Sequence, residues 1–213
     1  MNTLSSRPTR LRRALVALVL VLAVLTTAVV AAVAYRAGGA AGAPSSGAPA
    51  IAGAVDETTD GAVTEADGIL PADAGPFDDR LPGIARLSPA LLDALRRAAT
   101  DAAAEGIDMR VNSGWRSAEY QEQLRRDAVA EYGSEAEAAR WVATPATSAH
   151  VAGDAVDVGP YAAAAWMMAQ GQAYGLCQTY DNEAWHYELR PEAVEQGCPR
   201  PYRDPTEDPR TQG

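Results

Sequence analysis

The 213-residue chain contains no lysine, and all 18 of its basic side chains are arginine. That absence removes any Ser-x-x-Lys nucleophile motif and the serine acyl-enzyme chemistry that depends on one. Histidine and cysteine are scarce as well, at two each, so any ligand or base assignment has little freedom. Positive charge is short beyond the first segment. After Arg36, 13 arginines face 28 acids, a net charge of −15. Such an acidic exterior argues against nucleic acid and anionic lipid as partners, and otherwise keeps the domain soluble.

What is present begins with an anchor pattern. Residues 1–13 form a basic N-terminus with Arg7, Arg10, Arg12 and Arg13, followed by an uncharged apolar run from Ala14 to Tyr35. At ~1.5 Å per residue the run spans roughly 33 Å as a helix, matching a bilayer core of about 30 Å. The basic flank places that end in the cytoplasm and the rest outside, so one transmembrane signal-anchor helix over 14–35 is expected. The alternative is a cleaved secretory signal ending at Ala32-Val33-Ala34, although such apolar cores usually run only about 7 to 15 residues. Residues 36–74 are rich in Ala, Gly, Pro and acids and read as a flexible linker, about 35 Å end to end as a coil. Residues 75–198 are expected to form the functional domain, and the Pro-, Arg- and Asp-rich stretch 199–213 a disordered tail.

Within the domain the pattern mixes helices and short strands. Ser88-Pro89 opens a helix with apolar residues at helical spacing until Gly106. A strand over Asp108–Asn112 follows, then a helix capped by Ser117 to about Tyr132, a short helix Glu135–Trp141, and a helix Ala162–Tyr174 ended by Gly175. Val156 and Val158 flank Asp157 in strand alternation, turning the carboxylate to the opposite face. In the last strand Trp185, Tyr187 and Leu189 alternate with His186 and Glu188, which predicts an aromatic core face with His186 turned to the site.

Each histidine lies at metal-ligand spacing from a carboxylate: His150 is seven residues before Asp157, and His186 three after Glu183. Either pair alone is weak. Together they consume all the histidine in the chain and sit beside strands, where a rigid site is best built. A catalytic zinc takes two imidazoles and a carboxylate, leaves its fourth position to water, and needs a further carboxylate to take the proton. An ionised Asp157 among valines also calls for a cation. Ser113-Gly114-Trp115-Arg116-Ser117 has two readings: a turn with a helix cap, or a turn that projects Arg116 into a cleft as a planar cation. Gln121 is either an amide contact in that cleft or an ordinary exposed helix residue. Cys177 and Cys198 are close enough to form a disulfide, closing a loop that contains Glu183 and His186 and stabilising it by on the order of 3 kcal/mol. Ligation of a metal by both thiols is the competing and less favoured reading.

These segments, in this order, resemble the VanY-type D-alanyl-D-alanine carboxypeptidases, zinc peptidases related to the VanX dipeptidases and some phage endolysins. The family's Ser-Gly-Tyr-Arg-Ser turn with a glutamine five residues on is matched by Ser113 to Ser117 with Gln121. Its Ser-x-His segment followed by Gly, a small residue and Asp is matched by Ser148, His150, Gly153, Ala155 and Asp157. Its Glu-x-Trp-His-x-Glu segment is matched by Glu183, Trp185, His186 and Glu188. Trp115 replaces the usual tyrosine, Ala184 a common proline, and Asp154 an apolar or basic residue. The resemblance covers roughly Leu81 to Glu188. It implies an α+β fold of the hedgehog/DD-peptidase kind, a small antiparallel sheet flanked by helices, here preceded by one transmembrane helix. It further implies one Zn2+ held by His150, Asp157 and His186, Glu183 as base, and Arg116 as substrate or oxyanion contact, with Gln121, Ser148 and Trp115 beside it. The expected partner is a peptidoglycan stem peptide ending in D-Ala-D-Ala, and the chain is expected to act as a monomer on the membrane. An L,D-carboxypeptidase, a dipeptidase, an endopeptidase or a non-catalytic wall-binding module would share much of this pattern.

Overall fold

A computed structural model describes residues 62–212 of the chain. The expected membrane helix over 14–35 lies outside the described residues, and among those described no helix is long and apolar enough to cross a membrane. Helix α1 (Pro82–Ala85) leads into α2 (Pro89–Ala104), which starts at Ser88-Pro89 as the sequence predicts. Strand β1 (Arg110–Ser113) precedes α3 (Ala118–Tyr132), whose first turn is capped by the Ser117 hydroxyl accepting from the Tyr120 amide. The next helix, α4 (Glu135–Ala138), is a single turn, shorter than expected. Another single turn, α5 (Ala149–Ala152), leads into β2 (Ala155–Gly159). Helix α6 (Tyr161–Gln170) gives way to a 3-10 turn over Gly171–Tyr174, so the predicted helix tightens in its last turn. Strands β3 (Leu176–Gln178) and β4 (His186–Leu189) and the short α7 (Ala193–Gln196) follow, with β3 unanticipated because three residues show no usable alternation.

The four strands form one antiparallel sheet in the order β1-β2-β4-β3. One face of it rests on α2 and α6. Val156, Val158, Tyr187, Leu91, Leu95 and Met167 are at most 1% exposed there, and a buried side chain of this size stabilises by about 1.5–3 kcal/mol. The other face presents Asp157, His186 and Glu188, all buried. Register sets these residues side by side, with Ser113 opposite Asp157 across a bulge in β1 and Asp157 opposite His186.

Two boundaries differ from expectation. Residues 62–74 are not all linker: a 3-10 turn Glu65–Asp67 carries a capping box, Ser117 donates to Asp67, and Ala74 is 1% exposed with its carbonyl accepting from Val111. Polar and backbone contacts order this stretch together with Leu70, which packs against the core, and so few large apolar residues show no period that reveals it. The tail over 199–212 is also folded rather than disordered. Tyr202 bridges Tyr180 in parallel, and Asp204 and Asp208 are fully buried. Asp204 accepts from Arg140 at 3.0 Å and Asp208 from the Tyr180 hydroxyl at 3.1 Å. Ion pairs to the body do here what apolar residues do elsewhere. Trp185, expected in the core, lies in the turn before β4 and is 42% exposed.

Candidate active site

Each site residue is placed by a short, capped turn against the sheet. Ser148 caps the single turn that carries His150, accepting from the Val151 amide, and the turn stops at Gly153 with φ +80°. A side chain there would be strained and would meet the Arg86 carbonyl at 2.5 Å. Gly114 is required for a different reason: a Cβ would sit 2.0 Å from the Gly83 carbonyl oxygen. That close approach aims the Gly114 carbonyl at His150, whose Nδ1 lies 2.8 Å away. Nδ1–H therefore donates to it, leaving the Nε2 lone pair for the site. His186 is oriented oppositely, with Nε2 3.4 Å from Glu188 Oε1 and Nδ1 turned inward.

Three atoms converge in consequence. His150 Nε2 and His186 Nδ1 are 3.2 Å apart, and Asp157 Oδ1 is 3.2 Å from the second and 3.3 Å from the first. Tetrahedral zinc with ligand bonds of about 2.0–2.2 Å separates its donors by roughly 3.3–3.5 Å, so this set fits that ion closely. These three residues are the group able to hold a metal among the described residues. Glu183 stands beside them with Oε2 3.7 Å from His186 Nδ1, while its buried Oε1 has no hydrogen-bond partner. A buried carboxylate oxygen without a partner costs on the order of 1–3 kcal/mol, so it needs a bound water or substrate proton to justify it.

The charges follow from that crowding. Burial pushes the Glu183 carboxyl up to about 7, with His186 opposing. For His186 burial works downward, but hydrogen bonds to Asp157 and Glu188 outweigh it and lift the imidazole to about 9. His150 moves the other way, lowered by burial and by the Arg116 charge. Asp157 is held well below the usual carboxylate range: burial opposes this, and the two histidines and Arg116 overcome it. The site attracts a proton onto His186, where a divalent cation would supply positive charge in its place.

Arg116 is fixed on three sides. Its Nε donates to Ser113 Oγ at 2.8 Å, one terminal nitrogen to Gln121 Oε1 at 3.1 Å, and the other to Asp157 Oδ2 at 2.9 Å. Of the guanidinium's five N–H donors, these engage three and leave two, on a residue that lines the cleft. Gln121 is 2% exposed, not a surface glutamine, and its amide also donates to the Ala143 carbonyl. It positions Arg116 and lines the cleft. The cleft encloses about 240 Å³, and its walls include Arg116, Ser148, Glu183, Trp141, Trp185 and Tyr180. Trp115 is not among its walls; the Arg86 guanidinium covers its ring at 4.2 Å. Asp154 is exposed and also lies away from the cleft. Cys177 and Cys198 are joined in a disulfide across a separation of 21 residues. Glu188, matched in the motif but given no role, is the histidine's outer partner. Burial opposes its ionisation, yet hydrogen bonds from His186 and Arg210 bring it down to about 2.

The VanY family, described as D-alanyl-D-alanine carboxypeptidase, matches residues 84–192. A D-alanyl-D-alanine carboxypeptidase of Enterococcus faecalis (strain ATCC 700802 / V583) is 33% identical over 127 residues, 48% of this chain and 46% of that protein. The chain thus spans about half the length of that relative. Among solved structures, a mutant VanY D,D-pentapeptidase from a VanB-type resistance cassette, in complex with Zn(II), is 25% identical. It covers 53% of this chain and 80% of its own, with a TM-score of 0.48. VanYB in complex with D-alanine-D-alanine gives 26%, 53% and 78% with the same score. With more than half of its residues matched in order, the chain belongs to the VanY family of D-alanyl-D-alanine carboxypeptidases.

Proposed function

We propose that this protein is a zinc-dependent D,D-carboxypeptidase that removes the terminal D-alanine from peptidoglycan stem peptides, held at the outer face of the membrane by residues 14–35. The observation that carries the reading is the partnerless, buried Oε1 of Glu183 beside three donors at the edge lengths of a zinc tetrahedron. His150, Asp157 and His186 would hold the ion. When bound, zinc supplies a Lewis acid and lowers the pKa of a water toward about 7. Glu183 accepts a proton from the attacking water as the new C–O bond forms at the carbonyl between the two D-alanines. It then returns that proton to the amine as the C–N bond breaks. Arg116, which lines the cleft with two uncommitted N–H groups, steadies the substrate carboxylate or the carbonyl oxygen. The cleft is smaller than the roughly 300–1,000 Å³ usual for larger small-molecule sites, which suits the short methyl side chains of a peptide end.

The test follows products from pentapeptide, tetrapeptide and free dipeptide by mass spectrometry, using the purified full-length chain loaded with zinc. Release of one D-alanine from pentapeptide is expected, with Glu183→Gln retaining zinc but losing at least about a hundredfold in kcat. A Glu183→Gln variant with undiminished turnover overturns the base assignment. Retention of the full-length chain in the membrane fraction of the expressing cells tests the anchor, and recovery of a shortened chain from the medium contradicts it.

A further inference from the structure

The tail over 199–212 lies beyond the residues matched by the family, yet it reaches the back of the candidate metal site. Arg210 grips Glu188 with both ends of its guanidinium, at 2.5 Å to Oε2 and 3.2 Å to Oε1. Glu188 is 2% exposed and is the partner of His186 Nε2. Arg210 is in turn held by Asp208, which is fully buried and also accepts from Tyr180. The tail is tethered at its start as well, because Cys198 is bonded to Cys177, and Cys177 sits directly across the sheet from Glu188. Between these ends Tyr202 pairs with the Thr179 and Asp181 backbone, and Asp204 with Arg140.

We infer that the C-terminal tail is a clamp on the metal centre and that Arg210 is a positioning residue: it fixes Glu188, and through Glu188 the ring of His186. A ligand histidine must keep its inner nitrogen unprotonated and its ring plane aimed at the ion, and the partner on its outer nitrogen enforces both. Glu188 has a second cation in Arg190 at 2.9 Å, but that contact reaches only Oε2. The oxygen facing His186 is located by Arg210 alone among the described residues. The fork geometry matters, since a lysine offers a point charge and cannot set the carboxylate plane.

This inference rests on the zinc reading above, and its test separates the two. Zinc affinity of the purified full-length chain is measured by competition with a chromophoric chelator for wild type, Arg210→Ala, Glu188→Gln and the double variant, with circular dichroism reporting the fold. Arg210→Ala is expected to bind zinc about 10–100-fold more weakly than wild type. On the Glu188→Gln background the same change is expected to add almost nothing, because Arg210 acts through Glu188. Unchanged affinity in Arg210→Ala, or an equal loss on both backgrounds, overturns the clamp while leaving the zinc reading intact. If Arg210→Ala does not fold, Arg210→Lys keeps the charge beside Asp208, and the clamp requires it to lose affinity by several-fold. Wild-type affinity in that variant overturns it. A wild-type chain that holds no zinc overturns both readings.

Discussion

Asp157 serves three neighbours with one carboxylate: Oδ1 faces the two histidines and Oδ2 faces Arg116. Removing the charge therefore disturbs a candidate metal ligand and Arg116 together. Asp157→Asn is expected to abolish zinc binding at micromolar metal and to shift Arg116, whereas Gln121→Ala should leave zinc affinity near wild type. Because Gln121 anchors Arg116 and touches none of the three candidate metal ligands, its loss should raise KM or lower kcat by about tenfold, readable in steady-state kinetics. The proton on His186 makes a second prediction. Its folded pKa of about 9 exceeds the ordinary 6.5, so metal-free protein binds that proton at neutral pH and the proposed zinc would have to expel it. Zinc affinity should weaken by about tenfold for each unit of acidification below neutrality, and calorimetry in two buffers should detect the released proton. With the sign worked through, the raised pKa stabilises the metal-free fold below pH 6.5 and that contribution fades as pH rises through about 9. The convergence of His150, Asp157, His186, Glu183 and Arg116 was legible because metal and proton chemistry require particular residue types and this chain offers only two histidines. The two readings of Gln121, and the place of Trp115 away from the cleft walls, could not be decided from sequence because neither burial nor ring packing against Arg86 has a local sequence signature.

At the scale of elements, the turns before α3 and β2 aim the chemistry, and the tail backs it. Gly114→Ala should displace the α1 contact at Gly83, tilt His150 through the Gly114 carbonyl, and reduce both stability and zinc affinity. The tail responds to acid. Burial opposes ionisation of Asp204 and Asp208, but their hydrogen bonds outweigh it and leave both pKa values lowered. A lowered carboxylate stabilises the fold above its unfolded pKa, and that stability is lost as pH falls through the depressed value. Hydrogen exchange of amides in 202–211 should therefore accelerate below the ordinary carboxylate range, near pH 4, before the β2–β4 amides exchange. Simultaneous loss of protection in both would contradict a separately held tail. The long helices were readable from capping residues and apolar spacing. The tail was not, since its cohesion comes from arginine–carboxylate pairs between Arg140, Asp204, Asp208 and Arg210, residues that composition alone assigns to solvent.

For the whole molecule, the disulfide and the sheet act on the same place, since Cys177 and Glu188 are cross-strand partners. Closing a loop of 21 residues stabilises by about 3 kcal/mol in the chain-entropy model. Reduction, or Cys177→Ser with Cys198→Ser, should lower Tm by roughly 6–12 °C in a scanning measurement. The central claim is that these parts together make a metal-assisted exopeptidase, and product analysis on a pentapeptide stem ending in D-Ala-D-Ala tests it most directly. The account predicts equimolar tetrapeptide and free D-alanine from the zinc-loaded chain, with activity lost on chelation and restored by zinc. A folded, zinc-loaded chain that leaves the pentapeptide intact, or cuts it at an internal bond, would contradict it.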